Sequence, residues 1–347
     1  MNEEMREAVR DYYTTVLQIN DDLKTSACCP AGAPSPYVRR LLENVHETVL
    51  AKFYGCGSPI PVAAQDRTVL DLGCGAGRDA FLLSQVVGPK GFVIGLDMTD
   101  EQLSVANQYL SWHMDRFGYS KPNVTFAKGF IEDLQTAGIR DESVDIVVSN
   151  CAINLSPDKE AVFREIFRVL KPGGELYFSD VFAGRRIPPA LQDDKVLRGE
   201  CLSGAMYLED FRRLLRRIGI LDYRIVSSRR LTLDDPQVQA SAGMIDFYAK
   251  TVRAFKVELE DICENYGQVA WYQGTIPECP HSFVLDDHHE FKTGLPVPVC
   301  GNTAMMLSKT RYATYFRMEG DYSIHYGPFH CAPASAPFKD TAAGACC

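Results

Sequence analysis

Val69-Leu70-Asp71-Leu72-Gly73-Cys74-Gly75-Ala76-Gly77-Arg78-Asp79 reads as a short apolar strand, a tight glycine turn and the start of a helix. A second strand, Phe92 to Leu96, ends at Asp97. In an open parallel sheet, that order sets a nucleoside-shaped cofactor over the first turn and an acid against its ribose. Gly73, Gly75 and Gly77 supply the tight backbone and the close approach that a side chain obstructs. A dinucleotide site would bring pyrophosphate to the helix N-terminus. Asp71, at the strand end, repels pyrophosphate and suits an amino group.

Outward from this turn, strand and helix signals alternate from Thr68 to about Leu233. Strands are expected at 68–72, 91–96, 123–127, 144–149, 174–179 and 223–231. Helices are expected at 78–87, 100–117, 158–170 and 207–218. Ser156-Pro157-Asp158 starts the third of these helices, and Lys171-Pro172-Gly173-Gly174 stops it. The alternation predicts a parallel sheet covered on both faces. Upstream, residues 3–19 have a helical pattern, and Ser26 to Pro36 is a break. Ser35-Pro36 then opens a helix expected to run to Phe53, stopped by Gly55-Cys56-Gly57. Downstream, 242–262 reads as helix, followed by mixed segments carrying Trp271, Tyr272, Phe283, Tyr312, Tyr315 and Phe316. The expected divisions are an N-terminal helical extension (1–56), the sheet domain (57–235), a small mixed domain (236–331) and a cysteine-ended tail (332–347).

A net charge of −9 and the lack of a basic stripe argue against nucleic acid as a partner. The charged N-terminus has no apolar signal region, and no apolar run is long enough to span a bilayer. The expectation is a soluble, cytoplasmic monomer. The 12 cysteines include the adjacent pairs Cys28-Cys29 and Cys346-Cys347 but no CxxC. Zinc-finger and iron-sulfur readings are therefore weak. Buried small hydrophobes are the ordinary explanation for scattered thiols in such a chain.

The D-x-G-x-G-x-G spacing from Asp71 to Gly77 resembles the S-adenosylmethionine-dependent methyltransferases, which favours the methyl donor over NAD. The resemblance implies a class I (Rossmann-like) α/β sheet. Asp71 and Gly73 then face the methionine end of the donor, while Gly75 and Gly77 keep the backbone close. Asp97 takes two ribose hydroxyls and Met98 lines the adenine. Ile131 adds an apolar wall, and Glu132 accepts from the adenine amino group or is simply a solvated loop acid. Asn150 lies at the carboxyl edge of the fourth strand. Arg78 caps a turn or reaches the donor carboxylate.

A narrower resemblance covers residues 37–232 strongly and is thinner after Tyr272. Asn44-Val45-His46-Glu47, Tyr54-Gly55-Cys56-Gly57, Val69 to Asp79, Gly95 to Thr99 and Asn123 to Phe126 carry it. So do Ser149-Asn150-Cys151-Ala152-Ile153-Asn154-Leu155, Gly174 to Asp180 and Gly199-Glu200-Cys201. Together these are similar to the arsenite methyltransferases. The resemblance implies catalytic thiols at Cys28, Cys56, Cys151 and Cys201, with Cys56, Cys151 and Cys201 as ligands of trivalent arsenic. Cys28 fits the context Lys24-Thr25-Ser26-Ala27-Cys28, although the doubling at Cys29 departs from the pattern. Cys74, inside the glycine turn, has no metalloid role in this reading. The Cys346-Cys347 tail either hands over metalloid or is idle.

Trivalent arsenic is soft and matches thiolates. Three sulfurs hold it as a pyramid with its lone pair directed outward, towards the sulfonium methyl. The protein's task is alignment, which supplies several kcal/mol of a barrier of this kind. A methylated arsenical has one fewer position for sulfur, so Cys151 and Cys201 rank as the pair that retains it. Glutathione conjugates of arsenic are implied substrates, glutathione or thioredoxin is the implied reductant, and Cys28 is the implied disulfide participant. Two other classes compete with this reading. An organic-acceptor methyltransferase would bind the donor without a thiol site, and a metalloid-sequestering protein would bind arsenic over a vestigial glycine loop.

Overall fold

The computed structural model describes residues 34–192, 197–198, 201–233 and 235–331. Apolar residues from both faces of one sheet organise the larger part of the chain. Its parallel strands are β1 (Thr68–Leu72), β2 (Phe92–Asp97), β3 (Val124–Lys128), β4 (Val144–Asn150) and β5 (Leu170–Ala183). A short β6 (Met206–Tyr207) pairs with β5, and β7 (Arg224–Arg230) and β8 (Phe247–Phe255) complete the order β3-β2-β1-β4-β5-β8-β7. Val69, Leu70, Leu72, Val147, Val148, Leu176 and Phe178 are fully buried, as expected of strands covered on both sides.

Helices α1 (Pro36–Leu42), α2 (Glu47–Leu50), α3 (Arg78–Val87), α4 (Asp100–Gln108), α5 (Leu110–Phe117) and α6 (Lys159–Val169) precede or connect these strands. Further along are α7 (Pro189–Gln192), α8 (Leu208–Arg217), α9 (Pro236–Ala242) and α10 (Gly301–Ser308). Ser35 caps α1 by accepting the Val38 N–H at 3.2 Å, and Asp158 caps α6 by accepting that of Ala161 at 3.0 Å.

The single helix expected from Pro36 to Phe53 is instead two short helices with a turn at 43–46. Tertiary partners compete for that turn. The His46 N–H donates to His113 Nε2 at 3.2 Å, the His46 ring caps α2 through the Thr48 N–H, and Asn44 bonds Gln85 at 3.0 Å. The helix expected over 242–262 is also corrected. Helix α9 ends before Gly243, whose φ of +60° suits glycine. Phe247–Phe255 is then a strand paired antiparallel to both β5 and β7. The sheet therefore takes β8 from beyond the expected boundary at 235/236.

The small mixed domain contains the antiparallel sheet β12-β9-β13 (Pro296–Val299, Gln268–Tyr272, Phe316–Glu319) and the hairpin β10-β11 (Ser282–Asp286, His289–Lys292). Tyr272, Phe283, Phe291, Tyr312 and Phe316 form its core. Fully buried Glu175 of β5 joins it to the large sheet. Arg253 lies 3.3 Å from that carboxylate, Tyr312 Oη donates to it at 3.3 Å, and Arg311 pairs with it. The expected helix over 3–19, Cys28, Cys29 and the 332–347 tail lie outside the described residues.

Candidate functional site

From β1 the chain builds outward to β2 and β3 on one side and to β4 and β5 on the other. The switch point therefore lies at the carboxyl ends of β1 and β4, where open sheets form their ligand crevice. Gly73 has φ +71°, and a Cβ there would overlap the Ala152 methyl. Its N–H and that of Cys74 both donate to Leu96 O, at 2.8 and 3.0 Å, fastening the glycine turn to β2. Asp97 braces the same turn. One carboxylate oxygen accepts from Gly75 N at 2.8 Å and the other from Thr99 N at 2.9 Å. Burial raises the Asp97 pKa, and these N–H donors pull against that rise.

Asp71 is in a different state. It is buried, its Oδ2 has no hydrogen-bond partner, and its pKa is held well above the ordinary carboxylate range. Burial is the main cause, followed by the Asp79 and Asp97 carboxylates. An unpartnered buried carboxylate oxygen is costly, and a cationic amino group relieves both causes. The methionine end of S-adenosylmethionine carries such a group, so the residues present fit this donor.

The cleft is open to solvent, and together with its mouth it spans about 1060 Å³. Asp71, Gly73, Gly75, Arg78, Asp97, Met98, Ile131, Glu132 and Asn150 all line it. Besides Asp97, three of these have side-chain bonds within the protein. Arg78 pairs with Asp79 at 2.6 Å and stacks 3.7 Å over the Phe53 ring. Asn150 donates to Gly57 O at 3.0 Å and to Asp79 Oδ2 at 2.8 Å, and accepts from Gly57 N at 3.2 Å. Asn150 thus pins the Cys56 segment to the end of β4. Glu132 accepts from Ser156 Oγ at 2.6 Å. Gly77 does not line the cleft but caps α3 with φ +89°.

The same pinning brings the thiols together. Cys151 lines the cleft and is joined to Cys56 in a disulfide with Cα atoms 5.9 Å apart. The Asp180 carboxylate lies within 4.8 Å of both sulfurs, and all three residues are buried. Cys201 stands beside them, its Sγ 3.4 Å from Cys151 O. Both Cys151 and Cys201 have φ +60°, the left-handed region that non-glycine residues occupy at a cost of about 1–3 kcal/mol. Asp180 Oδ1 and Oδ2 accept from Val181 N and Asn154 N. Burial still pushes its carboxyl up to about 7, with those bonds and the Lys159 charge pulling it down. Gly57 packs where a Cβ would overlap Ser179 Oγ. Gly57→Ala should lower stability by about 1–3 kcal/mol as an overpacked position, read as a reduced midpoint in urea unfolding; an unchanged midpoint would show that the segment yields freely.

The structure therefore gathers Cys56 and Cys151 and places Cys201 next to them, while Cys28 lies outside the described residues. Sequence reasoning missed Asp180, Asp79 and the Phe53-Tyr54 wall of the cleft. A signal for Asp180 was present: Ser179-Asp180 interrupts the otherwise apolar run Leu176-Tyr177-Phe178…Val181-Phe182 at the level of the β4 carboxyl end. Asp79 and Phe53 carry no comparable mark.

Residues 64–219 match a methyltransferase domain family, and 265–347 match the arsenite methyltransferase C-terminal domain. An arsenite methyltransferase of Aquipseudomonas alcaligenes is 49% identical over 99% of this chain and 100% of its own length. One of Homo sapiens is 42% identical over 90% of this chain and 83% of its own. The crystal structure of an arsenic(III) S-adenosylmethionine methyltransferase from Chlamydomonas reinhardtii superposes with a TM-score of 0.83 at 48% identity. It covers 86% of this chain and 100% of its own.

Proposed function

The chain belongs to the arsenite methyltransferase family and is an S-adenosylmethionine-dependent methyltransferase of trivalent arsenic; from that premise we propose that Cys56, Cys151 and Cys201 hold the arsenic against the donor cleft. The observation that carries this assignment is the position of Cys151: it lines the cleft and bonds Cys56 at the same time. S-adenosylmethionine supplies an electrophilic methyl on a sulfonium sulfur. Asp71 binds its amino group, Asp97 its ribose, and Met98 and Ile131 flank the base. Glu132, which lines the cleft, accepts from the adenine amino group.

The thiols' role is geometric. They fix the arsenic so that its lone pair points at the methyl carbon, which removes the need for a strong base. Asp180, whose carboxyl burial pushes up to about 7 beside the sulfurs, relays a thiol proton to the hydroxyl or thiol that leaves arsenic as an arsenic–sulfur bond forms. A methylated arsenical, with one fewer position for sulfur, stays on Cys151 and its neighbour Cys201. The Cys56–Cys151 disulfide cannot bind arsenic, so turnover requires a reductant of the glutathione or thioredoxin class. That requirement, together with the need to keep the thiols reduced, fits a cytoplasmic setting in which glutathione conjugates of arsenic are incoming substrates. Among the described residues, no helix is long and apolar enough to cross a membrane.

Asp97→Ala should weaken donor binding about 10- to 100-fold, the range for losing charge-assisted hydrogen bonds, while arsenite binding stays intact. Isothermal titration with S-adenosylmethionine reads it, and an unchanged affinity would move the ribose contact elsewhere. The class assignment itself is tested by incubating reduced protein with arsenite, donor and glutathione and separating the arsenic species. Binding of both ligands without methylarsenic formation would favour a sequestering protein; donor binding without arsenite binding would favour an organic acceptor.

A further inference from the structure

The C-terminal fold assembles a second group of thiols. Cys263 precedes β9, Cys300 is the N-cap of α10 immediately after β12, and Cys331 closes the described chain. Their sulfurs all lie within 4.8 Å of one another. Backbone bonds hold the three segments in place: Phe329 N donates to Cys263 O at 2.8 Å and Gly301 N to Glu264 O at 2.9 Å. None of the three belongs to the apolar core of this domain, and none lines the donor cleft. Cys300 is buried while Cys263 and Cys331 are half-buried, so a small solute can reach the group.

We infer that Cys263, Cys300 and Cys331 form a second binding site for trivalent arsenic, separate from the site of methyl transfer. Three sulfurs within this limit can draw together as the base of a trithiolate pyramid. The reaction balances without an oxidant: arsenous acid exchanges three As–O bonds for three As–S bonds. The three thiol protons leave with the hydroxyls as three waters. The product is neutral, which decides between candidate ions. Zinc on three thiolates would carry a negative charge and require a fourth ligand, and no fourth donor joins the group among the described residues. Arg224 approaches Cys300 Sγ at 4.0 Å but already pairs with Asp222 at 2.7 Å and Asp286 at 3.2 Å. Its charge is therefore spent. Arsenic held here lies outside the donor cleft and stays unmethylated. Stoichiometric retention on the C-terminal domain accordingly accompanies turnover in the large one.

The test uses the full chain carrying Cys56→Ser, Cys151→Ser and Cys201→Ser, reduced with a phosphine, loaded with arsenite and desalted. Arsenic per chain is then counted by mass spectrometry, with and without Cys300→Ser. Serine keeps the α10 cap, because Cys300 Sγ accepts from Thr303 N and a hydroxyl does this better. Cys331→Ser provides a second variant at a half-exposed position. Either substitution, made singly, should remove the same one arsenic per chain, and X-ray absorption of the loaded parent should show arsenic on three sulfurs. Equal arsenic with and without Cys300 would overturn the inference. So would a Cys263–Cys331 bond resistant to the phosphine, or one zinc per chain that arsenite does not displace. Cys300→Ser in the otherwise unaltered chain should methylate arsenite at the parent rate; loss of methylation together with retention would merge the two sites. A parent that never methylates arsenite would sink the functional reading above and leave the arsenic count still decisive here.

Discussion

Cys151→Ser should abolish arsenite methylation, with the rate falling at least about 1000-fold, while S-adenosylmethionine binds with parental affinity. The expectation rests on what the sulfur does. A serine hydroxyl is a hard, weakly acidic donor and does not hold soft trivalent arsenic. Arsenic left on Cys56 or Cys201 alone loses its fixed direction towards the methyl carbon. Effective concentrations for well-oriented partners are worth about 7–11 kcal/mol, so forfeiting even part of that alignment gives the stated loss. The substitution is otherwise mild. Serine is smaller than cysteine and bears the left-handed φ at similar cost, and the donor-side residues Asp71 and Asp97 do not bond Cys151. Donor titration and methylarsenic formation should therefore separate cleanly. Parental activity in this variant would remove Cys151 from the mechanism, and joint loss of both readouts would mean that the cleft had collapsed.

The donor half of this site was legible because its chemistry is local. Asp71 to Gly77 must make a tight turn after an apolar strand, and Asp97 must end the neighbouring strand; both demands fall on contiguous residues with few alternatives. The strands β1, β2, β3 and β4 were readable for the same reason. Phe247–Phe255 was not, since Phe-Tyr-Ala-Lys-Thr-Val-Arg-Ala-Phe spaces its apolar residues compatibly with either period. Pairing with β5 and β7 decides its state, and that is a long-range fact. Asn44 and His46 break an otherwise continuous helix through partners on α3 and α5, again invisible locally. The thiol pair Cys56 and Cys151 was reached only through family resemblance. Cys263, Cys300 and Cys331 were missed because β9 to β13 and α10 separate them in sequence, leaving none of the short spacings that mark metal-binding loops.

Asp71→Asn should produce two effects of opposite sign: weaker donor binding and a more stable unliganded protein. In the empty cleft the Asp71 carboxyl has its pKa raised by burial and by Asp79 and Asp97. A group with a raised folded pKa binds more protons folded than unfolded in the window between its two values. It therefore costs no stability below the ordinary carboxylate range and costs progressively more as pH rises towards the folded pKa. Asparagine has no charge to desolvate, so the variant should keep its thermal midpoint where the parent loses it, with the gap widening as pH rises through that window. Donor binding reverses the balance. The ammonium of the donor favours the charged carboxylate, so below the raised pKa binding must release a proton, and parental affinity should fall as pH drops. Asparagine removes both the attraction and the pH dependence. Breaking a buried ion pair by deleting one partner costs about 3 kcal/mol or more, or at least about 100-fold in affinity. Titrations of parent and variant at several pH values, alongside thermal unfolding of each without donor, read all of these effects. A variant that binds the donor as tightly as the parent would place the ammonium elsewhere in the cleft. One that binds weakly but gains no stability at high pH would show that Asp71 is already relieved of its charge burden in the empty protein.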